Sequence, residues 1–203
     1  ANRGYEVFGM DYSHNMIRRA KAICSVDMKF KTNFLEGDIE SLPFKDSVFD
    51  TVLCLGVVTY LKSEGKALHE ISRVLKPGGI LILSILNKAS LAKSLDISLI
   101  LRRRIKKIVS NITPSWRNKR GIRESYSGIR SYFIPRLRNS LRIAGFKELD
   151  RMAVQYGPLT FFGRKIFSDG TNINITKFIE KFSNMPFVRS FGDMCLFKLT
   201  KVG

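Results

Sequence analysis

Histidine, cysteine and acidic side chains are scarce in this sequence. It contains two histidines, three cysteines and one tryptophan, and 17 Asp+Glu stand against 35 Lys+Arg. The cysteines Cys24, Cys54 and Cys195 are widely spaced and form no C-x-x-C pair, which favours a reducing cytosol over a disulfide framework. With His14 and His69 as the only histidines, the sequence offers no zinc-ligand pattern, and no metal is expected.

Long apolar runs and glycine-rich loops are missing as well. The apolar run Leu91–Leu101 is interrupted by charges, and no run reaches the roughly 18 residues that a membrane span needs. No signal-peptide pattern is recognisable, so we expect a cytoplasmic protein. No G-x-G motif occurs in the 203 residues. The chain opens on Ala1-Asn-Arg-Gly4 without an initiator Met, a start that we expect to be a truncation.

Positive charge is abundant and is concentrated in one half of the chain. Residues 1–101 carry 13 Lys+Arg and 11 Asp+Glu, whereas residues 102–203 carry 22 and 6, so the net charge of +18 lies almost entirely in the second half. The segment Arg102–Arg142 alone holds 13 basic residues against Glu124, and it also contains Trp116. Such a density is consistent with a solvated helix face, but it favours an anionic partner because like charges repel.

Two kinds of anionic partner fit the basic segment Arg102–Arg142. Tyr126, Tyr132 and Phe133 lie beside its charges, a composition suited to lipid headgroups or a phosphorylated substrate, and hence to peripheral attachment at a membrane surface. The same composition could follow RNA phosphates, although no base-stacking motif is present.

Alternation of apolar patterns predicts an α/β fold with a doubly wound, mostly parallel sheet and an antiparallel final strand. The expected strands are Gly4–Asp11, Phe34–Gly37, Phe49–Leu55, Ile80–Ile85, Phe146–Val154 and Met194–Thr200. Ser13 is expected to cap the first helix, and the expected helices are Met16–Cys24, Gly65–Leu75, Leu91–Val109, Pro135–Ala144 and Ile175–Phe182. We expect one domain over residues 1–203, with residues 86–132 forming a basic insertion or lid.

The end of the first expected strand is the first candidate site. In open parallel sheets, ligands bind beyond the carboxyl ends of the strands. Asp11 ends this strand, where its carboxylate could accept hydrogen bonds from two adjacent ribose hydroxyls. An acid between a strand and a helix is also a common turn or cap residue, so the position alone leaves both interpretations open.

Four stretches together resemble the class I S-adenosylmethionine-dependent methyltransferases, especially those that methylate small molecules and lipids. They are Arg3-Gly-Tyr-Glu-Val-Phe-Gly-Met-Asp11, Glu36-Gly-Asp-Ile-Glu-Ser-Leu-Pro-Phe44, Phe49-Asp-Thr-Val-Leu-Cys-Leu-Gly-Val-Val-Thr-Tyr-Leu61 and Glu70-Ile-Ser-Arg-Val-Leu-Lys-Pro-Gly-Gly79. The resemblance is close over Ala1–Ile85 and weaker beyond it, and no diagnostic match falls within residues 86–132.

The resemblance implies a Rossmann-like methyltransferase fold and S-adenosylmethionine as the cofactor. It implies that Asp11 takes the ribose hydroxyls and that Asp38 takes the adenine amino group. Further expected contacts, along the adenine, the ribose and the sulfonium, are Tyr12, Met16, Ile39, Leu55, Gly56 and Val57. No catalytic residue is nominated. Neither His14 nor His69 has a partner in the sequence that marks it as a general base. Tyr60 could face the substrate, but its position at a strand exit suits a core or rim tyrosine at least as well.

One departure from the family pattern is large. In the family, a glycine-rich loop follows a central first strand, which lies between the strands expected at Glu6–Gly9 and Phe49–Leu55. The resemblance implies that both precede Ala1. Residues 1–203 are therefore expected to leave unpaired strand edges and, as a fragment, to be inactive and to bind cofactor poorly.

Two functions stay open beside methyl transfer to a small or lipid-like acceptor. A transfer-RNA or other nucleic-acid methyltransferase is the first, and a non-catalytic fragment that cannot bind cofactor by itself is the second. A short-chain nicotinamide-dependent reductase is disfavoured, because it requires a Tyr-x-x-x-Lys pair and no tyrosine of the chain has a lysine four residues on.

Overall fold

The computed structural model describes residues 4–24, 32–90, 128–154, 160–161, 164–165, 168–182, 185, 188–190 and 192–203. The strands are β1 (Val7–Asp11), β2 (Thr32–Glu36), β3 (Phe49–Leu55), β4 (Leu75–Asn87), β5 (Ser131–Tyr132), β6 (Phe146–Val154), β7 (Thr160–Phe161), β8 (Arg164–Lys165) and β9 (Met194–Lys201). The helices are α1 (His14–Cys24), α2 (Gly65–Val74), α3 (Ile134–Ile143) and α4 (Asp169–Glu180). Short 3₁₀ turns occupy Val58–Tyr60 and Val188–Ser190.

The main sheet is built on β4, the long apolar strand. Its order is β3-β4-β9-β6, with β5 pairing the last two residues of β4. β3 and β5 run parallel to β4, whereas β9 runs antiparallel to both β4 and β6. The expected antiparallel final strand is confirmed, and so is a largely parallel arrangement of the preceding ones.

β1 and β2 form a separate parallel pair. Their register joins Val7 to Thr32 and Asp11 to Glu36. Within the described residues, β1 is hydrogen-bonded to β2 alone and β3 to β4 alone. The unpaired edges that were expected between β1 and β3 are therefore present in the described strands. Three rings, Phe8, Phe44 and Phe49, pack edge-to-face beside these edges, with centroids 4.8–5.7 Å apart.

The core lies between the main sheet and the apolar faces of α2 and α3. Positions three and four apart on a helix share one face, which is why Leu68, Ile71 and Leu137, Leu141 are all buried. They pack against the inward side chains of β4 and β9. A continuous apolar run such as Ile80–Ile85 predicts a strand that is buried on both faces. Ile80 and Ile82 are half-buried and the other four residues of the run are buried, so the prediction is met in part.

Several predicted bounds need correction. α2 ends at Val74, and β4 begins directly with Leu75 rather than at Ile80. Phe49 pairs with Leu75 and Thr51 pairs with Ile80, so the residues between them, which include Pro77-Gly78-Gly79, form a bulge within β4. The apolar composition of Phe49–Leu55 predicts a buried strand. Leu53 and Leu55 are nevertheless 65% and 55% exposed, since one face of β3 has no cover in the described residues.

The C-terminal helix and the insertion also differ from expectation. α4 begins at Asp169 because the Ser168 side chain accepts the Thr171 N–H, and it ends at Glu180. The first two and last two residues of the expected insertion 86–132 belong to β4 and β5. The expected helix Leu91–Val109, Trp116 and Tyr126 lie outside the described residues. In the part of the chain that is described, no helix is long and apolar enough to cross a membrane.

Candidate functional site

Asp11 lies at the carboxyl end of β1, directly before α1. Its Oδ1 accepts the Ser13 N–H at 2.8 Å, and the Ser13 carbonyl accepts the N–H groups of Met16 and Ile17. Aspartate is suited to this position because its short side chain reaches the backbone two residues on. Asp11 is exposed, and within the described residues its Oδ2 has no partner. Asp11 can therefore cap α1 through Oδ1 and still bind a ligand through Oδ2.

Asp38 repeats this arrangement two residues after β2. Its Oδ1 accepts the Glu40 N–H at 2.9 Å and its carbonyl accepts the Ser41 N–H at 3.0 Å. It too is exposed, and no described residue contacts its Oδ2. The Gly37 N–H donates to the Asp11 carbonyl at 3.1 Å, so the two acids leave neighbouring ends of paired strands. The structure therefore brings Asp11 and Asp38 together at one sheet edge.

Apolar side chains around these acids are left in contact with solvent. Tyr12 is 70% exposed and Met16 is 51% exposed. The expected buried face of α1 is therefore wrong in part: Ile17 is buried, whereas Met16 and Ile23 are not. Ile39 is half-buried, and its side chain packs against the main core. Tyr12 and Met16 form a surface that a flat apolar ligand could cover.

The turn after β3 contains the remaining three expected contact residues. Leu55 and Val57 are exposed, and Gly56 has φ of +75°, a conformation that favours glycine. The Gly56 N–H donates to Ser84 Oγ at 2.7 Å, and its carbonyl accepts Thr59 Oγ1 at 2.7 Å. The side chains of Ser84 and Thr59 thus fix the backbone of this turn. No described hydrogen bond joins it to β1 or β2.

Ser84 and Thr59 were missed by the sequence analysis. Both are buried, and both have a polar group that must find a partner. Ser84 is the one polar residue of the apolar run Ile80–Ile85, which is a signal that could have identified it. Thr59 follows the turn glycine by three residues, the spacing at which a hydroxyl reaches back to a carbonyl.

A second polar cluster supports the 3₁₀ turn that follows β3. Tyr132 Oη donates to the Val58 carbonyl at 2.8 Å, and the Arg130 N–H donates to the Thr59 carbonyl at 2.7 Å. Buried Glu64 accepts Ser140 Oγ at 2.9 Å and lies 3.8 Å from Arg130. These contacts attach β5 and α3 to the end of β3, next to the turn that contains Gly56.

Among the described residues near the turn, no side chain is prepared to act as a nucleophile or base. Burial raises the pKa of the Cys54 thiol to about 11, so it stays protonated at neutral pH. His14 is an exposed first-turn helix residue, as expected, and its Nδ1 lies 2.9 Å from Glu36 Oε2. His69 is exposed on α2, and Tyr60 is exposed at the rim of the 3₁₀ turn.

A surface cavity of about 970 Å³ lies elsewhere on the molecule. It is lined by α3, β6 and the C-terminal residues, including Arg138, Leu149 and Val202. None of the expected contact residues lines it. Its walls contain the edge strand of the main sheet rather than the carboxyl ends of parallel strands, so the cavity is no part of the candidate site.

Comparison with known sequences shows what the N-terminal part of the chain is similar to. A family model described as "Methyltransferase domain" matches residues 1–83. A malonyl-[acyl-carrier protein] O-methyltransferase of Erwinia pyrifoliae is 38% identical over 88 residues, covering 43% of this chain and 32% of that protein. A demethylmenaquinone methyltransferase of Lactococcus lactis is 39% identical over 74 residues, covering 36% and 29%. The chain spans about a third of the length of these curated relatives.

Comparison with solved structures extends over nearly the whole chain. A SAM-dependent methyltransferase of Methanosarcina mazei superposes with a TM-score of 0.59 at 20% identity, covering 98% of this chain and 84% of that one. An S-adenosylmethionine-dependent methyltransferase of Mesorhizobium loti gives 0.59 at 13% identity, covering 98% and 82%. At these identities the likeness concerns the fold, which is the Rossmann-like arrangement that the sequence predicts.

Proposed function

We propose that this protein, whose residues 1–83 match the methyltransferase-domain model, is a class I methyltransferase that binds S-adenosylmethionine and transfers its methyl group. The acceptor in this proposal is a small or lipid-like molecule with an oxygen, nitrogen or carbon nucleophile. The observation that carries the proposal is the matched pair Asp11 and Asp38, each with one carboxylate oxygen fixed by the backbone and the other without a described partner.

The residues of the candidate site fit the adenosine half of this cofactor. Ribose hydroxyls and an adenine amino group are hydrogen-bond donors, and the unpartnered Oδ2 atoms of Asp11 and Asp38 are acceptors. Exposed Tyr12 and Met16 would cover the apolar faces of the nucleoside. The Ile39 backbone N–H would face the adenine ring while its side chain stays in the core.

The turn Leu55–Val57 would form the floor below the reacting centre. Its two apolar side chains are exposed, and the hydrogen bonds from Gly56 to Ser84 and from Thr59 to Gly56 fix its backbone. S-adenosylmethionine supplies a methyl group that is already activated by the sulfonium charge, so these residues need to orient rather than to activate. This agrees with the lack of a prepared base among the described residues around the turn.

The names of the relatives support a small or lipid-like acceptor. Similar proteins are named for malonyl-[acyl-carrier protein], for demethylmenaquinone and for ubiquinone biosynthesis. Transfer RNA as the acceptor has support from the basic charge alone, and that charge suits a membrane or a phosphorylated molecule equally well.

Asp11 provides the test of this function. We expect Asp11→Ala in the full-length protein to weaken binding of S-adenosylhomocysteine, the demethylated cofactor, by about one to two powers of ten. This corresponds to the roughly 1.5–3 kcal/mol of a hydrogen bond to a charged group. Asp11→Asn retains an Oδ1 that can accept the Ser13 N–H, so it separates the loss of charge from the loss of the cap. Isothermal titration calorimetry measures each affinity.

Asp50→Ala is the matched control for that titration. Asp50 is an equally exposed strand acid, bonded to Lys76 at 2.7 Å, and it has no part in the candidate site. Its replacement should leave the affinity unchanged. If Asp11→Ala also leaves the affinity unchanged, Asp11 does not contact the cofactor.

A further inference from the structure

The loop between β2 and β3, residues 37–48, is held in place by two side chains of α2. We call it the 37–48 loop, and it contains Asp38 and Ile39. The side chains of Ile39 and Leu42 pack on the core. Glu70 and Arg73, one turn apart on α2, reach across to its middle.

Arg73 uses all three of its side-chain nitrogens in this contact. Nε donates to Glu70 Oε1 at 2.8 Å. Nη1 donates to the Phe44 carbonyl and to Asp46 Oδ1, at 2.7 Å each. Nη2 donates to the Leu42 carbonyl at 2.9 Å and to Glu70 Oε2 at 2.8 Å. The guanidinium thus binds the loop at three successive points. Lysine has a single nitrogen and cannot reproduce this geometry.

Glu70 completes the attachment by binding the same loop residue from the other side. Its Oε2 accepts the Leu42 N–H at 2.8 Å, while Arg73 donates to the Leu42 carbonyl. Leu42 is therefore paired through both backbone groups, as it would be by a neighbouring strand. Hydrogen bonds from Arg73 hold the pKa of Glu70 down to about 2, so the carboxylate remains an acceptor at any ordinary pH.

The two ends of the loop are held differently. The Ser47 and Val48 N–H groups donate to the Arg73 and Val74 carbonyls at 2.9 and 2.8 Å, which are main-chain contacts independent of side chains. Among the described residues, the part nearer to Asp38 has main-chain contacts at Gly37, which donates to the Asp11 carbonyl, and in the local turn to Glu40 and Ser41. Ile39 and Leu42 pack on the core without fixing the backbone direction, and the hydrogen bonds that tie this part to α2 are those of Leu42 with Glu70 and Arg73. The Glu70–Arg73 pair therefore anchors the loop on the side of Asp38 that faces away from β2.

We propose that Glu70 and Arg73 are positioning residues for adenine recognition, which fix the 37–48 loop so that Asp38 and the Ile39 N–H stand ready before the ligand arrives. This inference rests on the proposed function. Neither side chain touches the ligand in this role. If the loop is in the binding-competent conformation for only a tenth of the time, the observed dissociation constant rises about tenfold.

The test combines hydrogen exchange with binding in the full-length protein. In Arg73→Gln, we expect faster amide exchange at Glu40, Ser41 and Leu42 without any ligand, and little change at Ser47 and Val48. The same variant should bind 5′-methylthioadenosine, which has no amino-acid portion, and S-adenosylhomocysteine each about tenfold more weakly. The two probes share the adenosine portion, so an equal loss of affinity for both indicates that the defect lies at the adenine end.

Milder and remote variants separate positioning from stability. Glu70→Gln and Arg73→Lys serve if Arg73→Gln does not fold, and they should weaken both probes in the same ratio. Arg138→Gln is the matched control, because Arg138 makes a similar bidentate pair with Glu148, at 2.7 and 2.9 Å, and that pair joins α3 to β6 without a described hydrogen bond to the loop. It should lower the melting temperature without affecting loop exchange or either affinity.

The outcomes distinguish this inference from the proposed function. Unchanged exchange at Glu40–Leu42 in the Arg73 and Glu70 variants would overturn the positioning role. Faster exchange with unchanged affinity for both probes would overturn it as well, because the loop would then not govern binding. If the unaltered protein binds neither probe, the proposed function itself fails and the inference fails with it.

Discussion

At the scale of single residues, buried polar groups in this protein are used to fix the backbone. Asn87 is fully buried, and its Nδ2 donates to the carbonyls of Ser190 and Gly192 at 2.8 and 2.9 Å. Its Oδ1 accepts the Ala89 N–H at 3.0 Å. An asparagine that is satisfied in this way joins the end of β4 to the segment before β9, and an apolar residue of the same size could not.

The three cysteines should differ sharply in reactivity. Burial raises the pKa of the Cys54 and Cys195 thiols to about 11, and both are inaccessible, whereas Cys24 at the end of α1 is half-buried. The thiolate is the reactive form, so the two buried residues should be inert in the native state. Titration with Ellman's reagent near pH 8 should give one fast thiol, and two more after denaturation.

Cys24→Ser identifies the fast thiol. This variant should lose the fast thiol and keep the two thiols that react only after denaturation. A fast phase that survives the substitution would mean that Cys54 or Cys195 is accessible, and that the packing around β3 or β9 is looser than the structure indicates.

At the scale of elements, α3 shows how a helix is ended by backbone conformation. Gly145 follows the helix with φ of +83°, and its N–H donates to the Arg142 carbonyl at 3.1 Å. A Cβ there would meet only Ser72 Oγ, at 3.7 Å, so space is not the restriction. Gly145→Ala should therefore cost about 1 kcal/mol through strain alone, or roughly 2–4 °C in melting temperature.

Gly65→Ala is the matched control in calorimetric melting. Gly65 begins α2, its φ is not positive, and a Cβ would have only Ser63 Oγ within 4 Å, at 3.8 Å. Alanine favours the helix over glycine, so this variant should be neutral or more stable. A loss of stability in both variants would point to crowding instead of φ strain.

The exposed apolar residues of β3 and α1 also belong to this scale. Leu53 and Leu55 on β3 and Met16 and Ile23 on α1 face solvent in the described structure, although their spacing is that of buried faces. Periodicity predicts which side of an element is apolar. It cannot say whether another element covers that side, because coverage depends on residues distant in sequence.

At the scale of the whole molecule, the uneven charge predicts where an anionic surface would bind. Arg102–Arg142 holds 13 of the 35 basic residues, most of them within residues 91–127, outside the described structure. If this segment meets a lipid surface, the protein should sediment with vesicles containing phosphatidylserine and be released by a few hundred millimolar salt, because screening weakens such attraction.

A parallel measurement with transfer RNA separates the two anionic partners. Retention of transfer RNA with a steep salt dependence, and no binding to the vesicles, would favour a nucleic-acid acceptor. Vesicles of phosphatidylcholine alone are the neutral control and should not bind. If the protein binds neither the phosphatidylserine vesicles nor transfer RNA, the basic segment is a solvated surface without an anionic partner of these two kinds.

Much of the fold could be derived from the sequence, because it depends on local patterns. Phe49–Leu55 and Phe146–Val154 are strands with the expected bounds, and α3 ends at Ile143, just before the glycine expected to stop it. Asp11 and Asp38, the two acids that the resemblance singled out, each follow a strand, and the structure pairs these two strands. Strand alternation, helix periodicity and turn residues are read from a few consecutive positions, so the sequence by itself determines them.

Tertiary structure alone decided how these elements meet. Three contacts illustrate this: β1 pairs with β2 and not with β3, Arg73 holds the 37–48 loop, and Ser84 supports Gly56. Each of them joins residues some 25 to 31 positions apart in the sequence. Such contacts depend on how several elements pack at once, and a hydrogen bond between distant side chains leaves no periodic trace in the sequence. The sequence therefore determined which residues could form the site, and packing decided which of them are held in place.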